Sequence, residues 1–169
     1  MAPAADDPAL DTLLLPLASG VVSWPAPGAT LFLRARAGPA LEPWRGQAIT
    51  CEQSFKPWAD ALAVSGQRVV DSMPGHFPRV LVLSPRQRTE SRALLARAVS
   101  QAMPGGVVLA CAANNEGARS MQADLASLAG PVQALSRRHC RVAWTAPLGE
   151  GVDRALLDQW LALDAPRRI

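Results

Sequence analysis

The chain has no tyrosine, one lysine, two histidines and three cysteines in 169 residues. Each scarcity removes a class of chemistry. His76 and His139 stand far apart, with no thiol or carboxylate at ligand spacing, so neither a zinc site nor a Ser/His/Asp triad can be assembled. Cys51, Cys111 and Cys140 are odd in number and lie in apolar or strand-like surroundings, which reads as reduced core residues. The longest apolar stretches, Leu13 to Leu17 and Val107 to Ala113, fall far short of the roughly 20 residues that cross a bilayer. Asp6 and Asp7 put acid where a signal peptide carries positive charge. With no repeat or low-complexity run, a soluble cytoplasmic protein with no metal and no membrane partner is expected.

The totals that remain describe one globular domain, 49% apolar and 18% charged, able to bury a core of normal size. Net charge is only +3, but the cations are nearly all arginine, Lys56 being the single lysine. Arginine suits planar, bidentate recognition of phosphate, so the placement of these side chains matters more than their number.

Asp7-Pro8 reads as an N-cap followed by proline at the first helical position, and Leu10, Leu13, Leu14 and Leu17 then share one helical face up to Gly20. Short strands follow over 29–34 and 48–52. Phe55, Trp58, Ala59 and Leu62 recur at helical spacing over 54–64, and a third strand runs over 67–70. Arg79 to Leu83 is the near-continuous apolar run of a central parallel strand. A helix over about 85–102 turns Leu94, Leu95, Ala98, Val99 and Ala102 inward, and Pro104-Gly105-Gly106 leads to a fifth strand over 107–112. Asn114 or Asn115 then caps a helix running to about Leu128. Two last strands, 132–136 and 139–145, are joined by a tight basic turn before a helix over 153–163.

This alternation predicts an α/β domain, Rossmann-like, with a mostly parallel seven-stranded sheet and helices on both faces. The final pair is joined too closely to be parallel, so the terminal strand runs antiparallel. That is the plan of the class I methyltransferase fold.

Two segments sharpen the expectation. The stretch "AMPGGVVLACAANNEGARSMQADL" followed by "ALSRRHCRVAW" resembles the N-terminal domain of the ribosomal RNA small subunit methyltransferase C family, rRNA guanine-N2 methyltransferases. The likeness rests on the Pro-Gly-Gly entry to the fifth strand, on Asn115, Gly117, Arg119 and Ser120, and on Arg137-Arg138 before Cys140, and it covers about residues 79 to 145. "PGATLFLRARAGPAL" is a fainter echo upstream. The resemblance implies two tandem methyltransferase-like domains, of which the C-terminal copy holds S-adenosylmethionine and the catalytic loop while the N-terminal copy has lost both. On that reading residues 1–163 are the degenerate domain and 164–169 begin a linker. Its partners are a catalytic domain in cis and rRNA, and the isolated domain is expected to self-associate. Leu157, Trp160 and Leu161 of the terminal helix and the segment around Trp24 are the expected donors of apolar interface.

The motifs agree with loss of chemistry. A strand that holds S-adenosylmethionine should exit into a glycine-rich turn near an acidic residue. Here Arg34 and Arg36 stand at those positions, Gly38 is followed by Pro39, and Glu52 is the one acid available after the second strand. No cofactor is therefore expected in this chain, only in the catalytic half.

The junction after the fourth strand, where active relatives place an acceptor, two prolines and an aromatic, reads Ser84-Pro85-Arg86-Gln87. Arg86 only donates. The four residues instead spell a helix start, with Ser84 as N-cap, Pro85 in the first turn and Gln87 completing a capping box. No catalytic residue is assigned. Arg86, Arg88 and Arg119 at one sheet edge, with Arg137, Arg138 and Arg141 in the terminal hairpin, are the candidate RNA contacts; a solvated surface with pairs such as Arg86 to Glu90 is the plainer alternative. A stand-alone S-adenosylmethionine-dependent methyltransferase and a protein-interaction module without RNA role are the competing functions.

Overall fold

The computed structural model describes residues 6–22 and 29–164. Helix α1 (Pro8–Ala18) precedes β1 (Thr30–Leu33), β2 (Ile49–Glu52), α2 (Lys56–Val64), β3 (Arg68–Val70) and β4 (Phe77–Leu83). Then come α3 (Arg88–Gln101), β5 (Ala102–Ala113), α4 (Ala118–Ala129), β6 (Val132–Arg137), β7 (Cys140–Thr145) and α5 (Arg154–Leu161). The strands form one seven-stranded sheet in the order β3-β2-β1-β4-β5-β7-β6. All pairings from β3 through β5 are parallel, and β7 runs antiparallel to both of its neighbours.

Both faces of the sheet are covered, as the apolar run of β4 requires. On one face Leu31, Leu33, Val80, Val82, Val108 and Ala110 pack under α3, α4 and α5. On the other, Phe32, Leu81, Leu109 and Val142 meet the leucines of α1 and Leu62 of α2. Asp7 caps α1 as the sequence indicates, accepting from the Leu10 N–H at 3.2 Å.

Between β1 and β2 the chain forms only a 3-10 turn (Pro39–Trp44). Pro39 and Pro43 leave too few backbone donors for a full α-helix there. That face is filled instead by α1.

The Pro-Gly-Gly segment does not simply end the preceding helix. It is a bulge inside β5, where Ala102 to Val107 spans the same length as Phe77 to Arg79 on β4. A Cβ on Gly106 would lie 2.8 Å from the Met103 carbonyl oxygen, so only glycine fits.

Two other expectations change. Asn114 and Asn115 do not cap α4; with Glu116 they form a 3-10 turn, and Gly117 at φ 89° is the residue before the helix. The apolar side of α5 is not open surface either, since Leu157 and Trp160 are buried against α3 and α4 and Leu161 is half-buried. Trp24 and residues 165–169, most of the expected linker, lie outside the described residues, and Ala162–Asp164 form a short 3-10 turn after α5. Among the described residues no helix is long and apolar enough to cross a membrane, and no group of three or more metal-ligating side chains forms.

Candidate functional site

The chain runs from β1 outward to β2 and β3 on one side and then returns to β4 and β5 on the other, so the sheet has a topological switch point between β1 and β4. Ligands of open α/β sheets bind beyond the carboxyl ends of the strands at such a point. Ala113 at the end of β5 pairs with Cys140 at the start of β7. The β6–β7 turn therefore shares this edge with the exits of β1 and β4.

At the switch point Arg34 adopts a left-handed conformation, φ 56°, and donates from Nη1 to the Leu83 carbonyl oxygen at 3.2 Å. Burial, and then the neighbouring charge of Arg36, pull its pKa below the ordinary arginine value. Trp58 of α2 lies beside it, with the guanidinium carbons of Arg34 and Arg36 at 5.8 and 5.5 Å from its ring. Arg36 also holds Asp7 through two bonds of 2.8 and 3.2 Å. Phe55 meets Trp58 edge-on at 5.2 Å and remains 53% exposed. Phe55 and Trp58 recur at helical spacing with Leu62, and Leu62 is the buried residue of α2.

The acid at the end of β2 is also engaged. Both carboxylate oxygens of buried Glu52 accept from the Arg97 guanidinium, and Oε1 accepts in addition from the Met73 N–H at 2.9 Å.

At the exit of β4 the helix start lies three residues later than the sequence implies. Gln87, not Ser84, is the N-cap of α3, and its Oε1 accepts from the Glu90 N–H at 2.6 Å. Ser84 is buried, with its hydroxyl 2.6 Å from that of Ser91 and its N–H donating to the Cys111 carbonyl at 2.9 Å. A serine whose hydroxyl is spent inside the protein cannot cap a helix or meet a substrate. Pro85 is buried beside it, and Arg86 and Gln87 are exposed. Pro85, Gln87, Glu90 and Leu94 border a cavity of about 620 Å³ together with Arg34 and Leu163.

The candidate RNA contacts divide into two sets. Arg88 and Arg92 both clasp buried Asp124 of α4, at 3.1 and 3.2 Å, and Arg92 stacks 4.8 Å from the Trp160 ring. The Arg88–Asp124 pair was not legible in the sequence. Arg138 pairs with Asp6 and Asp11, holding the Asp6 carboxyl below its ordinary pKa of 3.8. Arg141 donates to Gln122 at 2.9 Å. Arg86, Arg119 and Arg137 are exposed and make no side-chain hydrogen bond or ion pair among the described residues; the Arg86–Glu90 pair does not form.

A second cavity, about 580 Å³, opens between the start of α1, the end of β5 and the β6–β7 turn. Arg138 and His139 in that turn have φ of 52° and 61°, the two left-handed positions of a tight hairpin. Three contacts hold the turn: the Asn114 N–H on the His139 carbonyl at 2.8 Å, the Thr12 hydroxyl on the Arg137 carbonyl at 3.1 Å, and the carboxylates on Arg138.

No family model and no curated protein sequence matches the chain. Solved structures do. A T. Thermophilus 16S rRNA N2 G1207 methyltransferase (RsmC) in complex with AdoMet and guanosine superposes with TM-score 0.69 and 20% identity, over 87% of this chain and 40% of that one. The L11 methylase of Lactobacillus delbrueckii subsp. bulgaricus gives TM-score 0.62 and 10% identity, over 80% of this chain and 77% of that one. The N-methyltransferase NodS of Bradyrhizobium japonicum WM9 gives 0.60 and 15%, over 82% and 94%.

The chain has the class I methyltransferase fold. It spans about two-fifths of the length of the RsmC chain it resembles. S-adenosylmethionine is the cofactor this fold implies, and the residues at the switch point do not fit it. Arg34, bonded to the Leu83 carbonyl, stands where a glycine-rich turn is needed, only a 3-10 turn follows β1, and Glu52 is committed to Arg97.

Proposed function

We propose that the chain is a non-catalytic methyltransferase-fold domain that supports the catalytic domain of an rRNA guanine-N2 methyltransferase and helps position the rRNA. One observation carries this reading. At the edge where the fold binds ligands, the residues at the cofactor positions are bonded within the protein, Arg34 to Leu83 and Glu52 to Arg97, while Arg86, Arg119 and Arg137 stand exposed and uncommitted among the described residues. A guanidinium without a carboxylate partner is a ready phosphate ligand, and its binding releases counterions from RNA. The fold likeness to an rRNA methyltransferase more than twice the length of this chain supports assigning the chemistry to a second domain.

The test is binding of single-stranded RNA by fluorescence anisotropy across a salt series. Three phosphate contacts predict that log K falls with log salt at a slope of about −2, and the triple variant R86A/R119A/R137A should flatten that slope and weaken binding to all sequences alike. Binding that ignores both salt and these substitutions would overturn the RNA role. A second reading, a protein-interaction module, draws on the exposed Phe55 and Val64 of α2. That reading gains if the chain captures a catalytic methyltransferase domain, or a second copy of itself, without binding RNA.

A further inference from the structure

The cavity beside the β6–β7 turn has a composition that the arginine edge does not explain. Pro8, Ala9, Ala113 and Cys140 give it an apolar floor. Asn114, Asn115, Glu116 and His139 stand around that floor, and their side chains make no hydrogen bond or ion pair among the described residues. Its two guanidiniums are spoken for, Arg36 by Asp7 and Arg138 by Asp6 and Asp11.

Of the two carboxylates that line the cavity, Asp7 is paired with Arg36, while Arg138 is neutralised by Asp6 and Asp11 from outside the lining, so neither guanidinium is left for a phosphate and Glu116, unpaired among the described residues, favours a neutral group that donates hydrogen bonds. An apolar floor with amides and a carboxylate around it suits a ring that is apolar on its faces and polar at its edge. We infer that this cavity receives one unpaired RNA base bearing an exocyclic amine, stacked on the Pro8–Cys140 floor, with the amine donating to Glu116 and the Asn114 and Asn115 amides reading the rest of its edge. Splayed single-stranded bases are recognised in this way, through edges and faces, while phosphates are held elsewhere. Here the phosphate ligands are close by, Arg137 next to the turn and Arg119 two residues after Gly117. The strained hairpin gains a purpose as well, because its left-handed Arg138 and His139 wall the cavity.

The inference rests on the RNA-positioning reading, and free nucleosides separate the two because they carry no phosphate. The isotope-labelled chain is titrated with cytidine, adenosine, guanosine and uridine and followed by amide NMR. The three amine-bearing nucleosides should shift the side-chain amides of Asn114 and Asn115 and the backbone signals of 113–117 and 138–140, with uridine about tenfold weaker. Glu116→Gln, an exposed substitution that should leave the rest of the spectrum in place, should weaken the amine-bearing nucleosides about tenfold. Equal shifts for all four nucleosides, shifts elsewhere on the surface, or no effect of Glu116→Gln would overturn the inference. If those failures occur while salt-dependent RNA binding persists, only the base pocket is lost. Localised nucleoside shifts in a chain that does not bind RNA would uphold the pocket and remove the RNA reading instead.

Discussion

The Arg34 guanidinium donates to the Leu83 carbonyl oxygen at 3.2 Å, tying the end of β1 to the end of β4 across the switch point of the sheet. An arginine holds this position at a conformational cost, because φ of 56° is a region that a Cβ disfavours by about 1 kcal/mol or more. Arg34→Ala loses the bond and keeps the strain, whereas Arg34→Gly loses the bond and relieves it. Urea unfolding should therefore show the glycine variant about 1 kcal/mol more stable than the alanine variant. Titration calorimetry with S-adenosylmethionine should give no site in the wild type or in either variant, because Glu52 remains paired with Arg97 in all three. A micromolar dissociation constant, about 8 kcal/mol of binding, would refute the account that the residues at the cofactor positions do not fit the cofactor.

The order and type of every strand, and the reversal at β7, could be read from the sequence because each rests on a local signal. Apolar runs of strand length, proline and glycine between them, and a two-residue turn that allows only antiparallel pairing are all visible in one dimension. Neighbour identity is not. Ser84 has the composition of an N-cap, but it stands at the end of a central strand opposite Ser91, where its hydroxyl is sealed in. Phe55 and Trp58 have the spacing of a core face, yet α2 sits at the margin of the sheet over β2 and β3, and only Leu62 reaches the interior. Leu157 and Trp160 were expected at an interface and instead complete the core under α3 and α4. Of the site, the absence of a glycine-rich turn after β1 was legible, and so was the basic character of the edge. The partition of its arginines into paired and unpaired was not, since Asp124 lies thirty-odd residues from Arg88 and Arg92.

The scarcity of other titrating groups makes the cysteines measurable. Burial pushes the Cys51 thiol from 9.0 up to about 12, and raises the Cys111 thiol further in the same direction. A folded-state pKa above the unfolded value means the stabilising contribution is complete below pH 9 and is lost as pH rises from there, because only the unfolded chain then releases these protons. Two such thiols give a slope of up to roughly 2.7 kcal/mol per pH unit just above pH 9 to 10. The chain contains no tyrosine and only one lysine, Lys56, so little else titrates in that window. Urea unfolding at pH 8, 9.5 and 10.5 should show the fall, and because burial raises the Cys140 thiol as well, Cys51→Ala should reduce its slope by about a third to a half whatever it costs at pH 8. A flat profile would mean that these thiols ionise in the folded protein.

The turn between β6 and β7 offers a gain in stability. A two-residue hairpin loop with both residues at positive φ favours Asn-Gly, and this chain places Arg138 and His139 there at 52° and 61°. Arg138 is retained by its bonds to Asp6 and Asp11, which offset its strain. His139 has no such compensation among the described residues: its side chain makes no bond, and its carbonyl, which any residue supplies, is what the Asn114 N–H holds. His139→Gly should therefore stabilise the protein by about 1 kcal/mol and raise the melting temperature by roughly 2 to 4 °C, as expected for a chain of this size. The same substitution removes one wall of the cavity beside the turn, so a more stable protein with weaker nucleoside shifts would mark the strain as a cost borne for binding. A lower melting temperature would show that the imidazole makes a contribution the geometry does not reveal, and that the turn is not strained at this position.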